Sequence, residues 1–176
     1  MQRVLVIGIS GAGKSTLAQA LASATGLPLI HLDQHYWQPG WVATKRDVWR
    51  PKVAALANGN AWVMDGNYGS SFDIRLPRAD TVVLFDYPRL RCLRRAWGRS
   101  WRTWGRVRSD MAPGCPERFD AEFVKYIWQF NDIERPSIAL ALRTYAPHLA
   151  PVIIRHDGEA ASFLATVTQR GPKIDA

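Results

Sequence analysis

Residues 8–16 read Gly-Ile-Ser-Gly-Ala-Gly-Lys-Ser-Thr and fit the pattern G-x-x-x-x-G-K-[ST]. They lie between an apolar run at residues 4–7 and a helix-forming stretch at residues 16–24, and this order makes the pattern specific. Glycines let such a loop curl until successive backbone N–H groups converge on phosphate oxygens, and the helix adds the partial positive charge of its N-terminus. The pattern therefore predicts a P-loop that binds a nucleoside triphosphate.

The polar side chains of this loop have separate expected roles. We expect Lys14, a predicted catalytic residue, to reach the β- and γ-phosphates, and the Ser15 hydroxyl to occupy one position on Mg²⁺. ATP and Mg²⁺ are therefore the predicted cofactors. The residues predicted to bind ATP are Gly8, Ser10, Gly11, Ala12, Gly13, Lys14, Ser15 and Thr16.

The chain is strongly basic. Its 23 lysines and arginines outnumber its 15 aspartates and glutamates, which gives a formal net charge of +8. This balance favours polyanionic partners, either nucleic acid or phosphorylated small molecules. The two cysteines form no C-x-x-C pair, and no apolar run approaches a bilayer-spanning length of about 20 residues. We therefore expect a reduced, cytoplasmic protein without a membrane segment, either a monomer or a homodimer.

Apolar runs of strand length recur along the chain, with helical stretches between them, as is typical of parallel strands buried on both faces of a sheet. The runs lie at residues 4–7, 29–32, 61–64, 81–85 and 152–154. They predict one α/β domain over residues 1–176, a three-layer sandwich around a five-stranded parallel sheet. Within it, we expect residues 34–60 to form a helical segment that binds the phosphoryl acceptor and residues 89–130 to form an arginine-rich helical lid.

A P-loop needs a carboxylate at a strand end to hold the metal ion, and two apolar runs supply one. Asp65 ends the third run and Asp86 ends the fourth. In P-loop kinases the third strand usually lies beside the first, and Gly66 permits close approach of the backbone to a ligand. We therefore favour Asp65 as the metal ligand beside Ser15 and keep Asp86 as the alternative.

Asp33 lies at the end of the second apolar run, at the sheet edge where ligands bind in open α/β proteins. A carboxylate in this place can take the proton of an acceptor hydroxyl, so Asp33 is predicted to be catalytic and to bind substrate. The alternative is an aspartate that only caps the following turn. Three further side chains are predicted to contact the acceptor: Trp37, Asn67 and Arg75.

Arginines that close over the γ-phosphoryl group would stabilise its charge during transfer. Arg95 and Arg99 are predicted to do so, because they lie on a helix just beyond the fourth strand. Apolar residues at helical spacing in the same stretch predict a core-facing helix side: Leu90, Leu93, Trp97, Trp101 and Trp104. Interleaved Arg and Trp residues also suit single-stranded nucleic acid, so a nucleotide-gated nucleic-acid-binding protein without kinase activity is the alternative prediction.

The P-loop, Asp33, Asp65 and the Arg95–Arg99 pair together resemble the adenylate-kinase-like nucleoside and small-molecule kinases. More narrowly, several short motifs resemble those of the bacterial topology modulation proteins, a branch of that kinase group. These motifs are His31-Leu32-Asp33, Gln38-Pro39-Gly40-Trp41, Asp65-Gly66-Asn67-Tyr68, Asp86-Tyr87-Pro88-Arg89 and Gly114-Cys115-Pro116-Glu117. The resemblance covers nearly the whole chain. It implies a sheet of strand order 2-3-1-4-5 and Mg²⁺-ATP-dependent phosphoryl transfer to a small hydroxyl or phosphate acceptor.

Overall fold

The computed structural model describes residues 1–118 and 120–170, with Arg170 described only through its backbone. Its strands are β1 (Arg3–Gly8), β2 (Leu29–His31), β3 (Trp37–Gln38), β4 (Val42–Ala43), β5 (Trp62–Asp65), β6 (Thr81–Phe85) and β7 (Val152–Ile154). Its helices are α1 (Lys14–Thr25), α2 (Leu32–Tyr36), α3 (Arg46–Ala57), α4 (Phe72–Arg75), α5 (Arg89–Arg102), α6 (Ala121–Gln129), α7 (Glu134–Tyr145) and α8 (Asp157–Arg170). Short 3₁₀ turns flank α4 at Gly69–Ser71 and Leu76–Arg78.

Five strands form one parallel sheet in the order β2-β5-β1-β6-β7. Numbered 1 to 5 within this sheet, they follow the order 2-3-1-4-5, and the predicted α/β fold class is confirmed. Val4 to Ile7 of the central strand β1 are fully buried, as an apolar run between two covered faces requires. This order places β1, which leads into the P-loop, between β5 and β6. Because the strands are parallel, their carboxyl ends lie at one edge of the sheet.

Helices pack on the sheet and on one another around a single large apolar cluster. α1 contacts β1, β2 and β5 and also lies against α8, while α5 packs on α6 and α4 packs on α3 and α7. Within the described part of the chain, no helix combines the length and apolar character needed to cross a membrane.

β3 and β4 form a small antiparallel hairpin, which the sequence patterns did not predict. Trp37 and Trp41 on this hairpin pack against a second apolar cluster formed by Met111, Ala112 and Cys115. Backbone contact supports this packing, because the Gly40 N–H group donates to the Gly114 carbonyl over 2.8 Å. The hairpin therefore holds the loop that follows α5 close to α2.

The predicted orientation of α5 is wrong for most of its apolar residues. Leu90, Trp97 and Trp101 are exposed, as is Trp104 just beyond the helix, and Leu93 is partly buried. The helix instead buries Cys92, Ala96 and Ser100. Small side chains on this face let α5 approach the P-loop closely, as the space around Gly11 shows: a Cβ atom there would lie 2.4 Å from the Cys92 carbonyl oxygen.

Candidate active site

The glycines of residues 8–16 give the loop a conformation that other residues would strain. Gly8 and Gly11 both have positive φ angles, of 124° and 84°. A Cβ atom on Gly8 would also lie only 2.2 Å from the Phe85 carbonyl oxygen on β6. The loop leads directly into α1 at Lys14, so the unpaired N–H groups of the first helical turn border the space above the loop. This geometry suits the binding of an anion.

Lys14 is the first residue of α1, and its ammonium group interacts with Ile9 of the loop and with the two candidate carboxylates. Its Nζ atom donates a 3.0 Å hydrogen bond to the Ile9 carbonyl. Burial lowers the pKa of Lys14, while the negative charges of Asp65 and Asp33 partly offset that effect. The structure therefore brings together three residues that lie far apart in the sequence.

Asp65 lies at the end of β5 and is almost fully buried. Its Oδ2 atom is joined to His31 Nδ1 by a 3.2 Å hydrogen bond. Burial lowers the pKa of His31, but the hydrogen bond and negative charge of Asp65 outweigh burial and raise it above its ordinary value. Asp65 Oδ1 is buried and has no hydrogen-bond partner among residues 1–118 and 120–170. One carboxylate oxygen thus remains for a ligand.

The arrangement fits a magnesium ion better at Asp65 than at Asp86. Asp86 Oδ2 accepts a 2.8 Å hydrogen bond from Arg135 Nη2 and is therefore engaged. In the described chain, no cluster of three or more His, Cys, Asp and Glu side chains is arranged to hold a metal ion by itself. A Mg²⁺ ion beside Asp65 and Ser15 would thus complete its coordination with phosphate oxygens and water, as is usual for this ion.

Asp33 lies in the first turn of α2, one residue beyond the start of the helix, rather than in the strand itself. The Tyr68 hydroxyl donates a hydrogen bond to its Oδ1 atom. Burial raises the pKa of Asp33, and Asp65 adds to this, while the Tyr68 bond and the charges of Lys14 and Arg108 act in the opposite direction. Sequence patterns did not single out Tyr68, although its place directly after Asp65-Gly66-Asn67 was a usable signal.

Asn67 and Arg75 were predicted to contact the acceptor, and their geometry does not fit that role. The Asn67 amide is bonded to both backbone groups of Gly8 and to the Tyr126 hydroxyl. Arg75 is completely buried. Its guanidinium group donates to the carbonyl groups of Gly66, Asn67 and Tyr68 and to the Ser71 hydroxyl. Both side chains therefore hold the loop after β5 in place.

Trp37 is the predicted substrate contact at the start of the hairpin, and its ring is partly buried. It makes edge contacts with Tyr36 at 5.0 Å and Trp41 at 5.4 Å between ring centroids. The ring also packs on the Met111 cluster. Trp37 thus joins the hairpin to the loop after α5, beside the segment that carries Asp33.

The two predicted lid arginines occupy different surroundings. Arg95 Nη2 is shared between the two carboxylate oxygens of Asp157, at 3.0 and 2.9 Å, and Nη1 donates to the Ala12 carbonyl over 3.3 Å. Arg99 lies deeper: its positive charge lowers the pKa of Lys14, and its Nη2 atom lies 3.4 Å from Glu117 Oε1. Arg95 thus contacts the P-loop at Ala12, and Arg99 is the arginine whose charge lowers the pKa of Lys14.

Solved structures are similar to this chain, although no protein-family model and no curated protein sequence matches it. The shikimate kinase of Acinetobacter baumannii, solved in complex with shikimate, has 16% identity and a TM-score of 0.62, with 97% of this chain and 92% of that chain covered. The shikimate kinase of Bacteroides thetaiotaomicron has 17% identity and a TM-score of 0.58, with coverages of 96% and 97%. A gluconokinase from Sinorhizobium meliloti 1021 has 17% identity and a TM-score of 0.54, with coverages of 96% and 94%. The chain has the fold of these P-loop kinases.

Proposed function

We propose that this chain is a Mg²⁺-dependent phosphotransferase that moves the γ-phosphoryl group of ATP to a small hydroxyl or phosphate acceptor. The observation that carries the proposal is the position of Lys14, Asp65 and Asp33 at one edge of the sheet. Lys14 begins the helix after β1, Asp65 ends the neighbouring strand β5, and Asp33 follows β2, which pairs with β5. The charges of both carboxylates also raise the pKa of the lysine. The structural neighbours are shikimate kinases and a gluconokinase, which supports a small-molecule acceptor.

In the proposed reaction an acceptor oxygen forms a bond to the γ-phosphorus while the bond from that phosphorus to the β,γ-bridging oxygen breaks. For a hydroxyl acceptor, Asp33 takes the displaced proton. Lys14 and Arg99 stabilise the negative charge on the phosphoryl oxygens. Ser15 and Asp65 would hold Mg²⁺, which supplies charge neutralisation to the phosphates when it is bound.

Two segments complete the proposed site. The acceptor would lie between residues 34–60 and the loop after α5, because Gln34, which follows Asp33 in the sequence, lines a cavity together with Arg108 and Met111 of this loop. Residues 89–130 would act as the lid. The short motifs between His31 and Glu117 support the narrower proposal that the chain is a member of the topology modulation branch of these kinases.

The experiment that tests this proposal compares wild-type protein with Lys14→Ala and with Lys45→Ala, an exposed lysine just before α3 that serves as the matched control. Isothermal titration with ATP measures binding. ATP consumption is then screened with nucleosides, nucleotides, sugars and sugar acids as acceptors. We expect that Lys14→Ala alone loses ATP binding. We also expect that one class of acceptor drives ATP consumption by the wild-type protein. Equal ATP binding by all three proteins would refute the P-loop assignment.

A second candidate function follows from the exposed face of α5 and the residues just beyond it. Trp101 and Trp104 are 79% and 62% exposed, and Arg102 and Arg106 are exposed beside them. Aromatic rings interleaved with arginines can stack on the bases of a single strand and contact its phosphates. Titration with labelled single-stranded DNA tests this, since such binding should weaken steeply with salt and depend on Trp101 but not on Trp128, an exposed tryptophan of α6.

A further inference from the structure

Glu117, in the loop after α5, is a carboxylate that the proposed reaction leaves without a role. It is only 7% exposed. The Ser100 hydroxyl donates to its Oε1 atom over 2.6 Å, and its Oε2 atom lies 3.1 Å from Arg108 Nη1. Its backbone is fixed as well, because its N–H group donates to the Arg106 carbonyl over 2.8 Å and its carbonyl accepts from Gly105 over 3.0 Å. The side chain and main chain of Glu117 thus join α5 to residues 105–108 of the loop.

The carboxylate of Glu117 lies between two arginines. Arg99 approaches it from α5 and Arg108 from the loop, with N–O distances of 3.4 and 3.1 Å. Burial lowers the pKa of Arg99, and the like charge of Arg108 adds to that effect. Two guanidinium groups that contact one carboxylate repel one another, and the negative charge of Glu117 offsets the repulsion. Removal of its charge should therefore let the arginines move apart.

Arg99 and Arg108 lie on different sides of the candidate active site. Arg99 lies on the nucleotide side, because it is on α5, the helix whose Cys92 carbonyl approaches Gly11 of the P-loop, and its charge acts on Lys14. Arg108 lies on the acceptor side: Gln34, next to Asp33, donates from Nε2 to the carbonyl of the residue after Arg108 over 2.5 Å. Consistent with this position, the charge of Arg108 lowers the pKa of Asp33.

Both arginines also have N–H groups to spare for an anion. Arg99 Nε is buried and has no hydrogen-bond partner in the described chain. Arg108 Nη1, although within ion-pair distance of Glu117, likewise makes no hydrogen bond there. Buried donors without partners cost free energy, and a phosphoryl group between the two arginines would satisfy them.

We propose that Glu117 is a positioning residue that holds Arg99 and Arg108 on the two sides of the transferring phosphoryl group, and that Arg108 rather than Arg95 is the second arginine to contact that group. The inference rests on the proposed function. Arg95 has a different set of contacts, because its Nη2 atom is shared between the two carboxylate oxygens of Asp157 and its Nη1 atom donates to the Ala12 carbonyl. Arg108 donates from Nε to Asp110 Oδ1 over 3.0 Å, but its buried Nη1 atom makes no hydrogen bond in the described chain. The loop carrying Arg108 and Glu117 thereby couples the lid to the acceptor side.

The test is the preference of the protein for ATP over ADP, measured by titration calorimetry, because this ratio reports contacts to the γ-phosphoryl group without requiring a known acceptor. Arg108→Gln and Glu117→Gln are each expected to reduce the ratio about tenfold, the size of a lost hydrogen bond to a charged group. Since Glu117 acts through the arginines, the double variant should lose clearly less than the product of the single losses. Arg95→Gln should change the ratio less than twofold.

Matched controls are Glu122→Gln on α6 and Arg94→Gln on α5, both exposed. A purely structural role for Glu117 would weaken ATP and ADP binding equally, and that result would overturn the inference. If Glu117→Gln does not fold, the ATP-to-ADP preference of Arg108→Gln is compared with that of Arg95→Gln. A reduced preference in Arg95→Gln alone overturns the inference. Wild-type protein that binds no ATP would overturn the proposed function itself. If the protein binds ATP but the ATP-to-ADP preference is unchanged in both Arg108→Gln and Glu117→Gln, this inference alone is overturned.

Discussion

The side-chain amide of Asn67 is hydrogen-bonded to both backbone groups of Gly8, a residue 59 positions away in the sequence. The Gly8 N–H group donates to Asn67 Oδ1 over 2.8 Å, and Asn67 Nδ2 donates to the Gly8 carbonyl over 2.9 Å. Nδ2 also donates to the Tyr126 hydroxyl over 2.7 Å. Because Gly8 ends β1 and begins the P-loop, the amide fastens the start of the loop to the end of the neighbouring strand β5.

Asn67→Asp should therefore weaken ATP binding. The new carboxylate can still accept from Gly8, but it cannot donate to the Gly8 carbonyl or to Tyr126, and two oxygens would face one another. We expect ATP affinity to fall about tenfold and the free energy of unfolding to fall by about 1–3 kcal/mol. Calorimetry and urea denaturation measure the two effects, with the exposed Asn58→Asp as control. Unchanged ATP affinity would show that the loop is held by other contacts.

Asp65→Asn should weaken Mg²⁺-dependent turnover more than it weakens metal-free nucleotide binding, because the buried Oδ1 atom, which has no partner in the described chain, is the oxygen proposed to bind the metal. The measurement is ATP consumption over a range of Mg²⁺ concentrations, alongside ATP binding in the presence of a chelator. Asp86→Asn is the matched variant at the end of the adjacent strand β6. Asp86→Asn should leave the Mg²⁺ dependence unchanged, since Asp86 is paired with Arg135. If Asp86→Asn rather than Asp65→Asn weakens Mg²⁺-dependent turnover, Asp86 is the metal ligand.

The sheet could be predicted because each of its strands is a short apolar run, and burial on both faces demands such runs. The last run, residues 152–154, coincides with β7. β3 and β4 could not be found in this way, because each has only two residues and Val42 and Ala43 are exposed. The tryptophans of α5 were wrongly predicted to face the core. Helical spacing shows that apolar residues share one side of a helix, but it does not show which neighbour that side contacts. The close approach of Gly11 to Cys92 decides that orientation.

At the candidate site, too, the features that depend on adjacent residues could be predicted from the sequence, whereas contacts between distant segments could not. Lys14 and the glycines could be predicted because the P-loop is a continuous motif whose chemistry depends on adjacent residues. The relationship of Tyr68 to Asp33, and of Glu117 to Arg108, depends on how separate loops pack together. Arg75 shows the converse, since nothing in its local sequence distinguishes a substrate-binding arginine from one that is buried against backbone carbonyls.

Arg75→Leu should destabilise the fold without a specific effect on the acceptor. The substitution removes the donors for the carbonyl groups of Gly66, Asn67 and Tyr68 in a buried place. We expect the free energy of unfolding, measured in urea, to fall by about 3 kcal/mol or more. Arg78→Leu, which loses one exposed bond to Asn58, should cost about 1 kcal/mol or less. A selective rise of the acceptor KM in well-folded Arg75→Leu would contradict this assignment.

Turnover should fall on the acid side at a higher pH than an ordinary aspartate would give. As the proposed base, Asp33 must be ionised, and its burial raises its pKa above the usual value of about 4. Protonation as the pH falls through that raised pKa therefore removes activity. The pH dependence of kcat/KM, measured with an acceptor from the screen, should show this limb, and Asp33→Asn should lose turnover at every pH while ATP binding survives.

Tyr68→Phe should move the same acid limb to still higher pH. The Tyr68 hydroxyl donates to Asp33 and lowers the pKa of that carboxyl, so the phenylalanine variant removes a contact that favours the ionised form. Tyr145→Phe, at the exposed end of α7, is the matched control and should leave the profile unchanged. An acid limb that stays in place in Tyr68→Phe, or moves to lower pH, would mean that a group other than Asp33 takes the proton.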